Sequence, residues 1–173
     1  MNPVFFILYP DATATDRACE HMASTWRRSP TGRRAACERL HISLNNIGGW
    51  GEPDEQVIAK AKEIASRIVL PSFVVALDHL VAWKGGTVVL TSDEGLIGVF
   101  NLYDALNNAL TDAGMSRRRD WAFSPHLTLI HHSAAEIDEF IAPVSWRVRE
   151  FRLIRSIDGA GRHEPLGRWP LAE

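Results

Sequence analysis

Hydrophobic and polar positions along this chain follow two periods, one near four and one of two. Val4 to Tyr9 is an apolar run and reads as a buried opening strand. From Thr13 to about Arg28 the apolar positions Ala14, Ala18, Met22 and Trp26 recur at helical spacing. Thr13 and Asp16 form a capping-box pattern at the start of this helix, and Pro30 and Gly32 break it. Arg39 to Asn46 reads as a strand leading into a loop rich in glycine up to Pro53. Asp54 to Val69 is a second helix, with Val57, Ile58, Ala61, Ile64, Ala65 and Ile68 in one stripe and Pro71 beyond its end. Ser72 to Trp83 is a long strand, and Gly85-Gly86 turns it into Thr87 to Leu90. Thr91 and Glu94 form another capping-box pattern. The helix after it puts Val99, Tyr103, Leu106 and Leu110 on one face and stops at Gly114. A strand near His126 to His131, one long β stretch from Val144 to Ile157 and a short strand near Glu164 to Leu171 complete the chain. Helices mixed with hairpins predict an α+β fold with a mainly antiparallel sheet. With 173 residues and no linker, one domain over 1–173 is expected.

One pattern occurs twice. His41-Ile42-Ser43-Leu44 and His126-Leu127-Thr128-Leu129 both read His, aliphatic, hydroxyl, Leu, and lie 85 residues apart, about half the chain. A helix precedes each, so the chain reads as a duplicated unit with one motif per half. Side chains of a strand alternate between faces. His41 and Ser43 therefore share one face, as do His126 and Thr128, while the aliphatic residues face a core. Two such strands related by a pseudo-twofold axis would bring two imidazoles and two hydroxyls into one cleft.

That set of groups suits a phosphodiester. In-line displacement at phosphorus needs a base on the attacking oxygen and an acid on the leaving oxygen. Histidine titrates near neutrality, so one copy can begin neutral and the other protonated. The hydroxyls can donate to the non-bridging oxygens. This chemistry calls for no metal or cofactor.

HISL and HLTL resemble the paired motifs of the two-histidine phosphoesterases, and more closely those of the bacterial and archaeal 2′-5′ RNA ligase-like proteins, regarded as RNA 2′,3′-cyclic phosphodiesterases. The resemblance extends to Gly48, seven residues after the first histidine, to Pro125 before the second, and to the segments WRVREFRLIRS and HEPLGRWPL. It implies two pseudo-symmetric lobes, each a mainly antiparallel sheet with helices on its outer face, and an active cleft between them. It implies His41 and His126 as the acid/base pair and Ser43 and Thr128 as phosphate ligands. The implied partner is RNA with a 2′,3′-cyclic phosphate end, or a small cyclic nucleotide. Close relatives often carry Arg five residues after the second histidine. Here that position is His131, which could hold phosphate when protonated but without a permanent charge or a forked donor. On strict alternation His131 points away from His126 unless a bulge or strand end re-aims it, and His132 falls in solvent at the strand end.

The remaining features adjust this picture little. A zinc site from His126, His131, His132 and Glu136 has no familiar ligand spacing. Trp50 and Trp121, flanking the motifs, could stack a nucleobase or simply anchor loops. Sixteen arginines against three lysines, with runs at Arg33-Arg34 and Arg117 to Arg119, could attract phosphate, although codon usage accounts for them as well. The net charge of −2 gives no global nucleic-acid or membrane signal. Cys19 and Cys37 permit one disulfide, with reduced thiols the expectation for a cytoplasmic monomer. The N-terminal apolar run is too short for a membrane span. A non-catalytic module that binds RNA ends or nucleotides is the main alternative to an enzyme.

Overall fold

The computed structural model describes residues 2–48, 52–115, 122–159 and 161–173. In order these hold β1 (Val4–Leu8), α1 (Ala12–Arg28), β2 (Arg33–Arg34), a 3-10 turn (Cys37–Arg39), β3 (Ile42–Ile47), α2 (Glu55–Ala65), β4 (Phe73–Trp83), β5 (Thr87–Thr91), α3 (Ile97–Asp112), β6 (Leu127–His131), β7 (Asp138–Val148), β8 (Glu150–Ile157) and β9 (Arg162–Pro170). The fold is α+β. Among the described residues nine strands form one sheet in the order β7-β4-β5-β6-β3-β1-β8-β9, with β2 also paired to β6. All pairings between these strands are antiparallel. Four strands lie on each side of the β6–β3 junction, so the two motif strands meet at the centre of the sheet.

The expected single stretch from Val144 to Ile157 is two strands broken at Arg149. β7 is first in the sheet order and β8 is seventh. A flat sheet would separate them by about 29 Å, which one residue cannot span. The sheet therefore curls until its ends approach, and Leu171 N–H donating to the Arg149 carbonyl (2.7 Å) ties the C-terminus to that corner. The break has a sequence signal: the apolar phase runs Val144, Trp146, Val148 and then slips by one to Phe151 and Leu153.

The helices are exchanged between the two motifs. α1 precedes β3 but packs on β6 and β7, whereas α3 precedes β6 but packs on β3 and β4. α1 buries Ala14, Ala18, Met22 and Thr25, and α3 buries Val99, Leu102, Tyr103, Leu106 and Leu110. Each fully buried Leu or Phe contributes about 1.5–3 kcal/mol, so each motif strand is held by the helix from the other half.

Several local expectations are corrected. Asp11, not Thr13, caps α1, its Oδ1 accepting from Ala14 N–H at 2.8 Å. Thr91 lies in β5 and Leu96 caps α3 without a side-chain bond, while Ser92 Oγ accepts from Gly95 N–H at 2.9 Å in the turn before it. α2 ends at Ala65 rather than Val69, because the chain must be extended before Pro71. Cys19 and Cys37 are not free thiols but form a disulfide joining α1 to the 3-10 turn. No described helix is long and apolar enough to cross a membrane.

Candidate active site

Ile42 of β3 lies opposite Leu127 of β6 in the antiparallel register. One step to either side sets His41 opposite Thr128 and Ser43 opposite His126. Directly opposed residues have Cβ atoms about 4.5–5.5 Å apart. Each imidazole thus faces the hydroxyl of the other motif. Ile42 and Leu127 are fully buried beneath them.

Both imidazoles are held in the same way. His41 Nδ1–H donates to the Arg39 carbonyl at 2.6 Å, and His126 Nδ1–H donates to the Ser124 carbonyl at 2.7 Å. A carbonyl can only accept, so the proton of the neutral ring sits on Nδ1 and the lone pair on Nε2. The residues upstream fix those carbonyls. The Cys19–Cys37 disulfide and buried Leu40 anchor the 3-10 turn that carries Arg39. Before His126, Phe123 stacks on Tyr103 of α3 with ring centres 3.8 Å apart, and Thr91 Oγ1–H donates to the Pro125 carbonyl at 3.0 Å. Trp83 packs edge-on against His126 at 4.5 Å, and Phe5 lies against His41 at 5.8 Å.

His41, Ser43, His126, Thr128 and His131 line a single cleft of about 260 Å³ together with Arg33, Ala35, Ala36, Arg39 and His163. The presence of His131 overturns strict alternation. Val89 pairs with Thr128 but Val88 pairs with Ile130, so Leu129 is an extra residue in β6. This bulge buries Leu129 and Ile130 in succession and returns His131 to the face of Thr128. Arg33 of β2 then pairs across from His131. Gly32 makes that approach feasible: its φ is +83°, and a Cβ there would lie 2.3 Å from the His131 carbonyl oxygen. His132 is exposed at the strand end. Trp50, Trp121 and Arg117 to Arg119 lie outside the described residues.

The electrostatics are one-sided. The cleft lining contains, among the described residues, two arginines and four histidines and no carboxylate. Among the described residues Arg33 and Arg39 make no ion pair, and Arg39 Nε is buried without a hydrogen-bond partner. Burial lowers the affinity of His41 for a proton, and His126 and Arg39 lower it further against the bond to the Arg39 carbonyl. Burial also lowers His126, opposed by its carbonyl bond. His131 is lowered by burial, then by Arg33, His132 and Arg39. Such a site is built for an anion. No group of three His, Cys, Asp or Glu among the described residues is arranged to hold a metal ion.

Arg33 lies in an arginine run that could attract phosphate, whereas Arg39, His163 and Trp83 were not legible as site residues. Arg39 carries no periodic signal, although its place two residues before His41 is one, and His163 is brought in only by the pairing of β9.

A curled α+β sheet that carries two His-x-hydroxyl strands to one cleft defines a two-histidine phosphoesterase. The 2′-5′ RNA ligase superfamily matches residues 14–160, and the chain belongs to that family. Among solved structures it is similar to E. coli LigT complexed with 3′-AMP, at 26% identity over 99% of both chains with a TM-score of 0.86. It is similar to E. coli LigT in apo form at 26% identity, over 99% of this chain and 98% of that one, with a TM-score of 0.83. A protein of Thermus thermophilus, TT0787, shares the fold at 17% identity over 97% of both chains, with a TM-score of 0.79. No curated protein matches the sequence.

Proposed function

We propose that this protein is a metal-independent phosphodiesterase that hydrolyses 2′,3′-cyclic phosphates, at RNA ends or on nucleotides, to 2′-phosphates. It acts as a monomer, with residues 1–173 as one two-lobed catalytic domain working in the cytoplasm. The observation that carries this reading is the matched pair of imidazoles, each with Nδ1 committed to a backbone carbonyl and with Nε2 unpartnered among the described residues, in a cleft of cationic lining.

His126 Nε2 takes a proton from water as the water oxygen attacks phosphorus. The P–O3′ bond breaks, and His41 Nε2–H gives its proton to O3′. The products are a 2′-phosphate and a 3′-hydroxyl, with His126 protonated and His41 neutral, and exchange with solvent resets the pair. Arg39 supports this direction, since its charge makes an imidazolium at His41 the stronger acid. Phosphate bound between the rings supplies negative charge that offsets the burial. Ser43, Thr128 and a protonated His131 hold the non-bridging oxygens. Replacing water by the 5′-hydroxyl of a second strand in the same step yields a 2′-5′ linkage, which is ligation.

The test is incubation of purified protein in EDTA with 2′,3′-cyclic nucleotides and with RNA ending in a cyclic phosphate. Product carrying a 2′-phosphate is expected. Binding without turnover over long incubation would reduce the site to a module that captures RNA ends or nucleotides.

A further inference from the structure

Beside His41, His126 and His131 the cleft contains a fourth imidazole that the proposed reaction leaves without a role. His163 stands in β9 opposite Ser156 of β8, and the curl of the sheet carries it into the lining beside His41. The two rings lie 4.9 Å apart, edge to face. Unlike His41 and His126, His163 has no carbonyl at Nδ1. Its Nδ1 is 2.6 Å from the Tyr9 hydroxyl. Burial raises the Tyr9 phenol, so it keeps its proton and can donate it to Nδ1. With the phenol donating, Nδ1 of His163 is the acceptor and the ring proton sits on Nε2. That Nε2–H has no partner among the described residues.

We propose that His163 is a ligand of the substrate phosphate, donating its Nε2–H to a non-bridging oxygen next to His41, with Tyr9 as the positioning residue that fixes its tautomer. This rests on the reading of the cleft as a phosphate site. His41, His126 and His163 are sorted into roles by what each holds at Nδ1. A carbonyl there leaves Nε2 as a base or its conjugate acid, whereas a phenol there leaves Nε2 as a donor. Burial, then His41 and Arg39, push His163 down to about 4, so it donates as a neutral group. A neutral donor adds a hydrogen bond to the phosphate without adding a third cation beside His41. The Arg39 guanidinium, lying against Gly161 at the start of β9, supplies the charge instead.

The test uses histidine 15N–1H spectra of the intact protein, with His163 assigned through His163→Gln. In the free protein His163 should show the neutral Nε2–H tautomer, and inorganic phosphate should shift that resonance. Tyr9→Phe should yield a mixture of tautomers and a smaller phosphate shift at His163, and the loss of the phosphate response is an outcome that a merely structural hydrogen bond to the phenol would not produce. In kinetics with a 2′,3′-cyclic nucleotide, His163→Ala should lower kcat/KM by about ten- to a hundredfold. His163→Gln, whose amide N–H reaches the same place, should recover part of it. Phosphate that moves His41 and His126 but not His163 overturns the proposal, as does a His163→Ala enzyme with unchanged kcat/KM. Absence of all cyclic phosphodiesterase activity would refute the proposed reaction alone, since the phosphate titration needs no turnover. No phosphate shift at any of the imidazoles would overturn both.

Discussion

Ile42 stands opposite Leu127 across the centre of the sheet, and this register pairs each motif imidazole with the hydroxyl of the other motif. The facing pairs are therefore His41 with Thr128 and Ser43 with His126, rather than the residues within each tetrapeptide. Double-mutant cycles on cyclic phosphodiesterase activity should show it. Thr128→Val is expected to couple with His41→Ala, and Ser43→Ala with His126→Ala, more strongly than either hydroxyl couples within its own strand. Equal coupling in all four combinations would contradict the cross-strand arrangement.

His41→Ala and His126→Ala should each lower kcat by about 10²–10⁴. Both rings sit at the cleft surface above buried aliphatic residues, so thermal melting should change little. One variant that kept full activity would rule out the paired acid/base scheme.

Burial lowers both His41 and His126 from their ordinary value of 6.5. The form with one ring neutral and one protonated is therefore most populated below that pH. The profile of kcat/KM against pH should peak on the acid side of 6.5 and fall on both sides. A maximum above pH 7 would count against this pair as the titrating groups.

Stability should depend on pH through the same groups and His163. His41, His126, His131 and His163 are all lowered on folding, His163 to about 4. As pH falls below about 6.5 the unfolded chain takes up protons that the folded chain still refuses. The stabilisation present above that pH is therefore lost progressively as pH falls from about 6.5 towards 4. Urea midpoints measured from pH 7 downward should fall, and His163→Gln should make the decline shallower.

The Cys19–Cys37 disulfide closes a short loop, with a sequence separation of 18. Its removal in a Cys19→Ser, Cys37→Ser double variant should cost about 2–4 kcal/mol of stability, read from urea unfolding. Thiol titration of the denatured, unreduced protein should find no free thiol.

Much of this was readable from the chain because it depends on local periodicity. Alternation in HISL and HLTL put each imidazole beside its own hydroxyl on one face, and the helical stripes located α1, α2 and α3. Where the reading failed, the deciding contact was remote. The reduced thiols gave way to a disulfide because the 3-10 turn packs against α1. The strand from Val144 to Ile157 divided because its halves pair with β4 and β1, near opposite ends of the sheet order.

The sequence by itself determined the two motifs, their exposed faces and the chemistry those residue types allow, since side-chain type and strand period are local properties. Only the tertiary structure decided which groups meet. The Ile42–Leu127 register crossed the partners, the bulge at Leu129 turned His131 back into the cleft, and the curl of the sheet delivered His163 to His41. Register, bulges and curvature are set by backbone pairing between distant segments and by burial of the core beneath them, and no short stretch of sequence carries that information.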